Sequence, residues 1–517
     1  MFQSNPHRWY WAGLAGLVIA LFAVLGLLEL GPSSVSRSLY SPKTDNSLAP
    51  AYKITSGTSK LHLLAPASGQ HFRLCRAVAS SYALGYPAPV FNGWNKEGDM
   101  DANKTHLAKV HTVLAYLETL PSAADNDLVL MIDGYDVLFQ IPPDVLIQRY
   151  FATTKAASAR IASRFGVDTI EGLYGDDAPR QTILFGSEKT CYPPVDSRVG
   201  CWAVPEDIGI PKGAYGPSDG ELHHNTPRWL NSGTIIGPAR DMRRMFAATA
   251  RRIQETYNPD EEFSDSDQKY MSDVWGEQEY VRTVKAHQHF FHGHTNPEDL
   301  IPDDGIKDKI IPAYDESKET EFHIGVDHRS ALFQTRAGSD PVLDMLQYSE
   351  TVPNQRTTAA PVKTSVDESP DFKQYMIELP TNLATSIGRV LADISHMVDR
   401  VPRVTELRLG TNLVTRNVYG MFHSTGGKDY GDELWAKLWF YPYLRPMLAA
   451  AIKGLKQGRP IAFLEGRRWI PAHTVPKNVT TTNDYRAVGA WADLDGVWLG
   501  WDELCGNFEK ETFGDHA

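Results

Sequence analysis

The sequence predicts an α/β fold with a mixed, mainly parallel central sheet flanked by helices, for two reasons. Apolar runs of strand length alternate with amphipathic segments of helix length over residues 61–151. Such alternation is typical of parallel strands joined by right-handed crossovers. In addition, the apolar run 128–132 ends at two carboxylates, Asp133 and Asp136. A buried strand that presents acids at its C-terminal end is a common ligand-binding arrangement in open α/β sheets.

Periodicity predicts the first six elements in order. Short apolar runs give the strands, and apolar side chains at helical spacing, such as Val110, Val113 and Leu117, give the helices. The predicted elements are strand 61–65, helix 71–83, strand 89–94, helix 105–120, strand 128–132 and a helix that begins over 143–151.

The remaining elements are less regular. Residues 338–403 have the composition of an insertion with a disordered part, and the tail carries four tryptophans on predicted short strands. Strand 229–237 is expected to be interrupted by a turn of small residues. The other predictions are strands 182–185 and 414–422, helices 242–257 and 383–401, a helix after Asp265, and a long aromatic-rich helix over 433–455.

The N-terminus predicts a membrane anchor. Residues 9–28 form an uncharged apolar run of 20 residues, which is long enough to cross a bilayer as a helix. A cleaved signal peptide is the alternative, although no Ala-x-Ala-like site follows residue 28. The predicted organisation is therefore a cytosolic tail (1–8), a transmembrane signal anchor (9–28), a stem (29–59), a main α/β domain (60–430) and a C-terminal extension (431–517).

Charge and cysteines restrict the partners and the compartment. The formal net charge of −12 argues against nucleic acid as the main partner, because phosphate binding needs basic patches. Two Asn-x-Thr sequons, at Asn103 and Asn478, are compatible with a secretory lumen. A local disulfide between Cys191 and Cys201 is the first expectation, and four free thiols are the alternative.

The spacing of Asp133 and Asp136 has two interpretations. Asp-x-x-Asp suits a hard divalent cation, which prefers carboxylate oxygens. It is equally compatible with a surface turn, Asp-Gly-Tyr-Asp, that closes a strand. These residues alone leave both interpretations open.

Seven segments, taken together and in order, resemble the glycosyltransferase domain of the collagen lysyl hydroxylase and procollagen glycosyltransferase group. Each segment alone is weak, but the ordered set is specific, and it covers about residues 60–336 and 405–430. The segments are residues 94–99, 131–137, 185–193, 229–237, 265–268, 326–334 and 423–428. The resemblance implies a GT-A nucleotide-sugar transferase fold, a UDP-sugar donor and Mn²⁺.

Carried over residue by residue, the resemblance implies a set of ligands. Asp133, Asp136 and His423 would hold the metal ion. Asp267, Asp265 and Asn231 would serve catalysis or shape the sugar pocket, although Ser264 and Asp265 also suit a helix N-cap. The nucleotide would contact Leu64, Ala65, Pro66, Trp94, Asp99, Lys109, Asp133, Gly134, Tyr135, Gly426, Gly427 and Lys428.

Two of the implied roles have plain structural alternatives. A lone tryptophan such as Trp94 is as often a core residue as a base-stacking platform. The segment Asp327-His328-Arg329 invites a metal interpretation, but the family places it beside the sheet as a structural strand, and a structural role is expected.

The sequence therefore predicts a Mn²⁺-dependent hexosyltransferase that moves a sugar from a UDP-sugar to a glycan or protein hydroxyl, with retention implied by the resemblance. It would be a single-pass type II protein of the Golgi or ER membrane with a lumenal catalytic domain. About 90 residues follow Lys428, too few for the hydroxylase domain of the collagen enzymes. The alternatives are a metal-dependent phosphodiester or pyrophosphate hydrolase, and a non-catalytic glycan-binding protein.

Overall fold

A computed structural model describes residues 57–98, 101, 105–168, 178–291, 296–348, 378–479, 484–492 and 496–514. The chain divides into two compact units, Met1–Tyr52 and Lys53–Ala517. The predicted tail and anchor, nearly all of the stem, Asp99 and Asn103 lie outside the described residues. Within the ranges just given, no helix is both long and apolar enough to cross a bilayer.

Strands and helices alternate through the first part of the second unit. The strands are β1 Gly57–Pro66, β2 Val90–Asn92, β3 Leu128–Ile132, β4 Val137–Phe139, β5 Ile183–Glu188, β6 Trp229–Pro238, β7 Ile324–Val326, β8 Phe333–Thr335 and β9 Leu343–Gln347. The helices are α1 Phe72–Ala83, α2 Ala108–Thr119, α3 Pro143–Arg164, α4 Val199–Trp202, α5 Ala239–Thr256 and α6 Asp267–Phe291.

The C-terminal part adds shorter elements. Its helices are α7 Thr381–Asp393, α8 Asp429–Trp435, α9 Leu444–Lys456, α10 Trp501–Cys505 and α11 Glu509–Phe513. Its strands are β10 Arg408–Asn412, β11 Asn417–Val418, β12 Met421–His423, β13 Ala462–Leu464, β14 Arg467–Pro471, β15 Gly489–Ala492 and β16 Val497–Gly500.

The central sheet confirms the predicted α/β class. Its strands follow the order β16-β15-β2-β1-β3-β6-β5-β7, and β14 pairs with both β1 and β13. Strand β1 is parallel to β2, β3 and β14, whereas β6 is antiparallel to both of its neighbours. Strands β13–β16 belong to this sheet, so the boundary predicted at residue 430 does not separate two sheets.

Both faces of this sheet are buried, as expected for parallel strands covered by helices. Along β3, Leu128, Leu130 and Ile132 join one apolar cluster, while Val129 and Met131 join another. Alternate residues of a strand point to opposite faces. The continuous apolar run that precedes Asp133 is therefore explained by burial on two sides.

A second, three-stranded sheet places His423 beside the acids Asp133 and Asp136. In it β12 lies between β4 and β8, and His423 is opposite Val137. Strand β4 begins one residue after Asp136, and the Ser424 N–H donates to the Asp136 carbonyl oxygen at 2.9 Å. Strand pairing, rather than sequence proximity, thus places His423 beside Asp136. A third sheet has the order β11-β10-β9.

Several predicted elements differ from those observed. The helix at Pro143 continues to Arg164, and the predicted helix 383–401 ends at Asp393. The predicted helix 433–455 was wrong, since α8 ends at Trp435 and α9 begins at Leu444. Pro442 lies between them; proline lacks the N–H that a helix interior needs and disfavours helical geometry in the residue before it.

The strand predicted at 414–422 also differs, because residues 413–416 form a turn after β10 and only then do the short strands β11 and β12 follow. Arg416 has a left-handed backbone with φ 60°, so the chain reverses between β10 and β11. Of the predicted insertion, residues 343–347 pair with β10 as strand β9, and residues 349–377 lie outside the described residues. Part of the insertion therefore belongs to the ordered fold.

The cysteines form two disulfides, and the described residues contain no free thiol. Cys191 pairs with Cys201, as expected, and Cys75 pairs with Cys505. The second bridge joins α1 to α10, so it ties the C-terminal extension to a helix beside the first strand. Closing so long a loop lowers the entropy of the unfolded chain.

Candidate metal and nucleotide site

The site is built where β3 ends against β6. The Asp133 N–H donates to the Gly233 carbonyl oxygen at 2.8 Å, which extends the pairing of the two strands by one residue. Strand β6 is continuous, so the predicted interruption was wrong. The small residues instead shift its register against β5, from Phe185↔Ile235 to Gly186↔Asn231. Such irregularities bend a strand and redirect its side chains.

Three potential metal ligands converge at this point. Ligand atoms of Asp133, Asp136 and His423 all lie within 4.8 Å of one another. The His423 Nε2 atom is 3.6 Å from Asp133 Oδ2 and 3.4 Å from Asp136 Oδ2. The Asp136 side chain is only 6% exposed, and its Oδ1 atom meets no hydrogen-bond partner among the residues described. A buried carboxylate oxygen without a donor is well suited to a cation.

Asn231 determines which nitrogen of His423 faces the acids. Its Nδ2 atom donates to Glu188 Oε2 at 3.2 Å and to Gln268 Oε1 at 3.3 Å. Its Oδ1 atom is therefore left to accept from His423 Nδ1 at 2.9 Å. The proton then belongs on Nδ1, and Nε2 is the nitrogen that faces the acids. This outer hydrogen bond is the usual means of orienting a metal-binding histidine.

Gly233 is required by the close approach of the ligands. A Cβ atom at this position would lie 2.0 Å from His423 Cε1 and 2.7 Å from Asp133 Oδ2. No side chain fits there unless the ligands move. The small-residue segment that redirects β6 therefore also provides the space in which the three ligands meet.

Electrostatics hold Asp136 ionised. Burial raises the pKa of Asp136, but His423 and Lys428 outweigh it and bring the pKa well below its ordinary range. Burial lowers the pKa of His423, yet the neighbouring Asp136 and Asp133 raise it overall. Asp136 is thus held as an anion, and its negative charge is what a divalent cation would neutralise.

Lys109 links this acid pair to a candidate catalytic acid. Its buried ammonium lies 2.6 Å from Asp133 Oδ1 and 2.9 Å from Asp267 Oδ2. Burial lowers the pKa of Lys109, but the two carboxylates raise it overall, so the side chain stays charged. Asp267 opens α6, where the helix dipole favours an anion. Asp267 therefore lies at the site, connected to Asp133 through one lysine.

Asp265 does not share this position. It is exposed, and its carboxylate accepts from the Tyr257 hydroxyl at 3.4 Å. The helix cap is provided by Ser266, whose Oγ atom accepts from the Lys269 N–H. The capping role predicted for Asp265 therefore belongs to Ser266, and the Asp265 side chain faces solvent.

The predicted nucleotide contacts separate into several groups. Leu64 and Ala65 are buried in opposite apolar clusters, and Trp94 stacks on Phe91 with ring centroids 5.3 Å apart. These three side chains serve the core. Pro66 is also buried, and its carbonyl oxygen would lie 3.0 Å from a Cβ at Gly134. A larger residue than Gly134 would therefore crowd the end of β1.

Tyr135 and the glycine loop shape the edge of the site. The Tyr135 hydroxyl accepts from the N–H groups of Ser68 and Gly69 and donates to the Gly69 carbonyl. Gly426 has a left-handed φ of 74°, which favours glycine. The Gly427 carbonyl accepts from Ser424 Oγ at 3.2 Å. This turn delivers the Lys428 ammonium to Asp136.

Two groups of residues at the site were missed from the sequence. Arg73 and Arg76 line a small cavity beside Asp136 and Lys428, and both pair with Asp432. Their spacing of one helical turn directly after β1 is a signal that could have been noticed. Lys428 is paired in the same way with Asp136, so each of the three cations at this cavity faces a carboxylate.

Glu188 is the other residue that was missed. It is buried, accepts from Asn231 Nδ2 and from Gln268 Nε2 at 2.9 Å, and has a pKa raised by burial. Its motif was recognised, but nothing in the spacing indicated that its side chain turns toward Asn231. It completes the network that orients His423.

The segment Asp327-His328-Arg329 is structural, as expected. The Asp327 carboxylate accepts from the N–H groups of Ala331, Leu332 and Phe333 at 2.7–3.1 Å. His328 Nδ1 lies 2.9 Å from the Pro227 carbonyl oxygen. The segment is therefore held by backbone groups.

Comparison with known proteins adds no family to this description. No model of a known protein family matches the chain, and no curated protein matches it.

Proposed function

We propose that this protein is a metal-dependent glycosyltransferase that moves a hexose from a UDP-sugar to a hydroxyl of a glycan or glycoprotein. The observation that carries the proposal is the convergence of Asp133, Asp136 and His423, with Nε2 of His423 directed at the two acids by Asn231. The GT-A fold implied by the sequence resemblance is part of the proposal, and the mixed α/β sheet is compatible with it.

The ligand set fits Mn²⁺. Two carboxylates and one imidazole combine hard oxygen and borderline nitrogen donors, a mixture that suits Mn²⁺ better than Ca²⁺ or Mg²⁺. When bound, such an ion would neutralise the negative charge that develops on a diphosphate leaving group. Asp133, Asp136 and His423 would hold it.

The surrounding residues have matching tasks. Lys428, Arg73 and Arg76 place positive charge around the cavity beside Asp136, where a diphosphate would be stabilised. Asp267 lies across Lys109 from Asp133, so its carboxylate can orient the sugar or the attacking hydroxyl. Asn231 acts through His423 as a positioning residue. Asp265 is assigned no part.

Location follows from the predicted anchor. We place the protein in the Golgi or ER membrane as a single-pass type II protein, with residues 9–28 as the span and the catalytic unit in the lumen. The Cys75–Cys505 and Cys191–Cys201 disulfides favour an oxidising compartment.

The test is donor turnover with a matched pair of variants. Hydrolysis of UDP-glucose and UDP-galactose, and transfer to glycan acceptors, are measured with Mn²⁺ for wild type, Asp136→Asn and Asp265→Asn. We expect turnover to fall at least about 100-fold for Asp136→Asn, since even outer-shell partners of a metal ligand cost 10–100-fold. Asp265→Asn should retain wild-type turnover.

Other outcomes would reassign the protein. Equal turnover in wild type and Asp136→Asn would remove the metal assignment. Hydrolysis of the donor without transfer to any acceptor would favour the hydrolase alternative. Absence of any rise in melting temperature with UDP and Mn²⁺ would favour a non-catalytic protein, because a bound ligand stabilises the folded state.

A further inference from the structure

A second cavity lies beside the strand that carries Asn231. Its volume is about 440 Å³, within the range of sites for small ligands. The wall contains three aromatic rings, from Trp202, Trp229 and Tyr280. Nothing in the metal site uses these residues.

The strand connects this cavity to the proposed catalytic centre. Trp229 opens β6, and Asn231 follows two residues later on the same face, about 7 Å along the strand. Across the strand pair, Trp229 is opposite Glu188, the acid that holds Asn231. Strand β6 therefore leads from the wall of the cavity to the hydrogen-bond network that orients His423.

The aromatic wall is fixed in place. The Trp229 indole N–H donates to the Cys201 carbonyl oxygen at 3.1 Å, and Cys201 is bound to Cys191. The Tyr280 ring meets Trp202 edge-on, with centroids 5.8 Å apart. A rigid aromatic surface binds at a low cost in conformational entropy.

The cavity wall also has an unused hydrogen-bond donor. Trp202 is only 6% exposed, and its Nε1 atom meets no acceptor among the residues described. A buried indole N–H normally has a partner. The Nε1 atom itself has almost no accessible surface, so a ligand hydroxyl would supply the missing acceptor if the indole turned toward the cavity.

The charges of the cavity favour a neutral ligand. Arg164 pairs with Glu279 at 2.7 Å, and Arg228 lies 3.7 Å from Glu206, so both cations of the wall already face an acid. Asp304 adds a further carboxylate, paired with Lys309. This balance offers acceptors to hydroxyl groups and no excess positive charge to an anion.

We propose that this cavity is the acceptor subsite and that it binds a neutral hexose unit of a glycan. A pyranose has apolar C–H faces, which pack on aromatic rings, and a rim of hydroxyls, which suit the indole N–H and the carboxylates. The binding site rests on the cavity itself, and its role as the acceptor subsite rests on the proposed function.

The test measures saccharide binding and nucleotide binding separately on the full chain. Saturation-transfer NMR with lactose, maltose and cellobiose is recorded for wild type, Trp202→Phe and Ala203→Trp, and UDP–Mn²⁺ binding is titrated for each. Ala203 is half-buried on the cavity wall, so a tryptophan there would fill the space. Trp202→Phe keeps a ring but removes the N–H.

We expect at least one disaccharide to bind wild type saturably, to bind Trp202→Phe about 3- to 10-fold more weakly, and not to bind Ala203→Trp. UDP–Mn²⁺ binding should be unchanged in both variants. Failure of all three disaccharides to bind wild type, or equal binding by Ala203→Trp, would overturn the subsite. A third outcome is that the protein binds a saccharide, loses this binding in Ala203→Trp, and binds no UDP. That result would support the saccharide site but overturn its role as an acceptor subsite.

Discussion

Two segments of this protein combine acids with a histidine, and the structure uses them in opposite ways. At the end of β3, Asp133 and Asp136 face the side chain of His423, and one carboxylate oxygen of Asp136 has no donor among the described residues. After β7, the Asp327 carboxylate accepts from three backbone N–H groups, and His328 bonds to a backbone carbonyl.

The difference lies in the partners. Backbone groups are fixed by the fold, so a carboxylate that they satisfy stabilises one conformation and has no capacity left for a ligand. The carboxylates of Asp133 and Asp136 are instead paired with side chains, Lys109 and Lys428, which can move and leave an oxygen free for a cation. Spacing in the sequence does not separate these cases; the chemical nature of the partners does.

The sharpest test of this comparison replaces each of the two acids, Asp136 and Asp327, with alanine. Asp136→Ala should weaken Mn²⁺ binding at least about 100-fold, and it should also lower stability because Lys428 loses its buried partner. Asp327→Ala should lower the free energy of unfolding by about 3–5 kcal/mol, because three buried N–H groups lose their acceptor. Isothermal titration with Mn²⁺ and denaturant unfolding measure the two effects. The comparison fails if both variants lose mainly stability.

Gly233→Ala tests whether the ligands need their close approach. The added Cβ would lie 2.0 Å from His423 Cε1, so the imidazole must move, and a displacement of about 1 Å can cost 100-fold in activity. Donor turnover with Mn²⁺ is the measurement. Gly388→Ala, in α7, is the control, because an added Cβ there would meet its nearest atom, of Val404, at 3.9 Å. We expect this variant to gain about 0.5–1 kcal/mol in stability. Wild-type turnover in Gly233→Ala would contradict the site geometry.

Asn231→Ala tests the orientation of His423. Removing the amide leaves the imidazole free to rotate, and Mn²⁺ affinity should fall about 10- to 100-fold. Asn412 offers a matched control, because it is also buried but accepts from the backbone N–H groups of Val414 and Thr415. Asn412→Ala should lower stability and spare Mn²⁺ affinity. An unchanged affinity in Asn231→Ala would argue against the positioning role.

The last prediction concerns pH and the structural histidine His328. Burial lowers the pKa of His328 from its ordinary 6.5 to about 4. Between these values the unfolded chain binds more protons than the folded one, so stability falls as pH falls from 6.5 to 4, by at most about 1.4 kcal/mol per pH unit. Unfolding measured across this range should be less pH-dependent in His328→Asn than in wild type. Parallel curves would show that His328 is not buried in its neutral form.

The sequence predicted the sheet well where apolar runs were short and bounded. Strand β3 was located residue for residue because it is buried on both faces and ends at Asp133. The prediction failed at two places. A helical pattern was continued through Pro442, which in fact divides it, and a turn was expected at Asn231–Gly233, where small residues redirect a strand without ending it.

The site was predictable only in part. Asp133 and Asp136 are close in the sequence, whereas His423 entered through the ordered resemblance, and β12 explains why it lies beside them. The direction of individual side chains was not accessible. Trp94 packs in the core, Asp265 faces solvent and Glu188 turns inward, because each orientation depends on long-range packing.

The central claim is that Asp133, Asp136 and His423 hold one divalent cation. Anomalous diffraction at the manganese absorption edge, from crystals soaked with Mn²⁺ and UDP, measures this directly. We predict a single strong anomalous peak in direct contact with all three side chains and with the diphosphate. A peak elsewhere, or a peak that persists unchanged in Asp136→Ala, would contradict it.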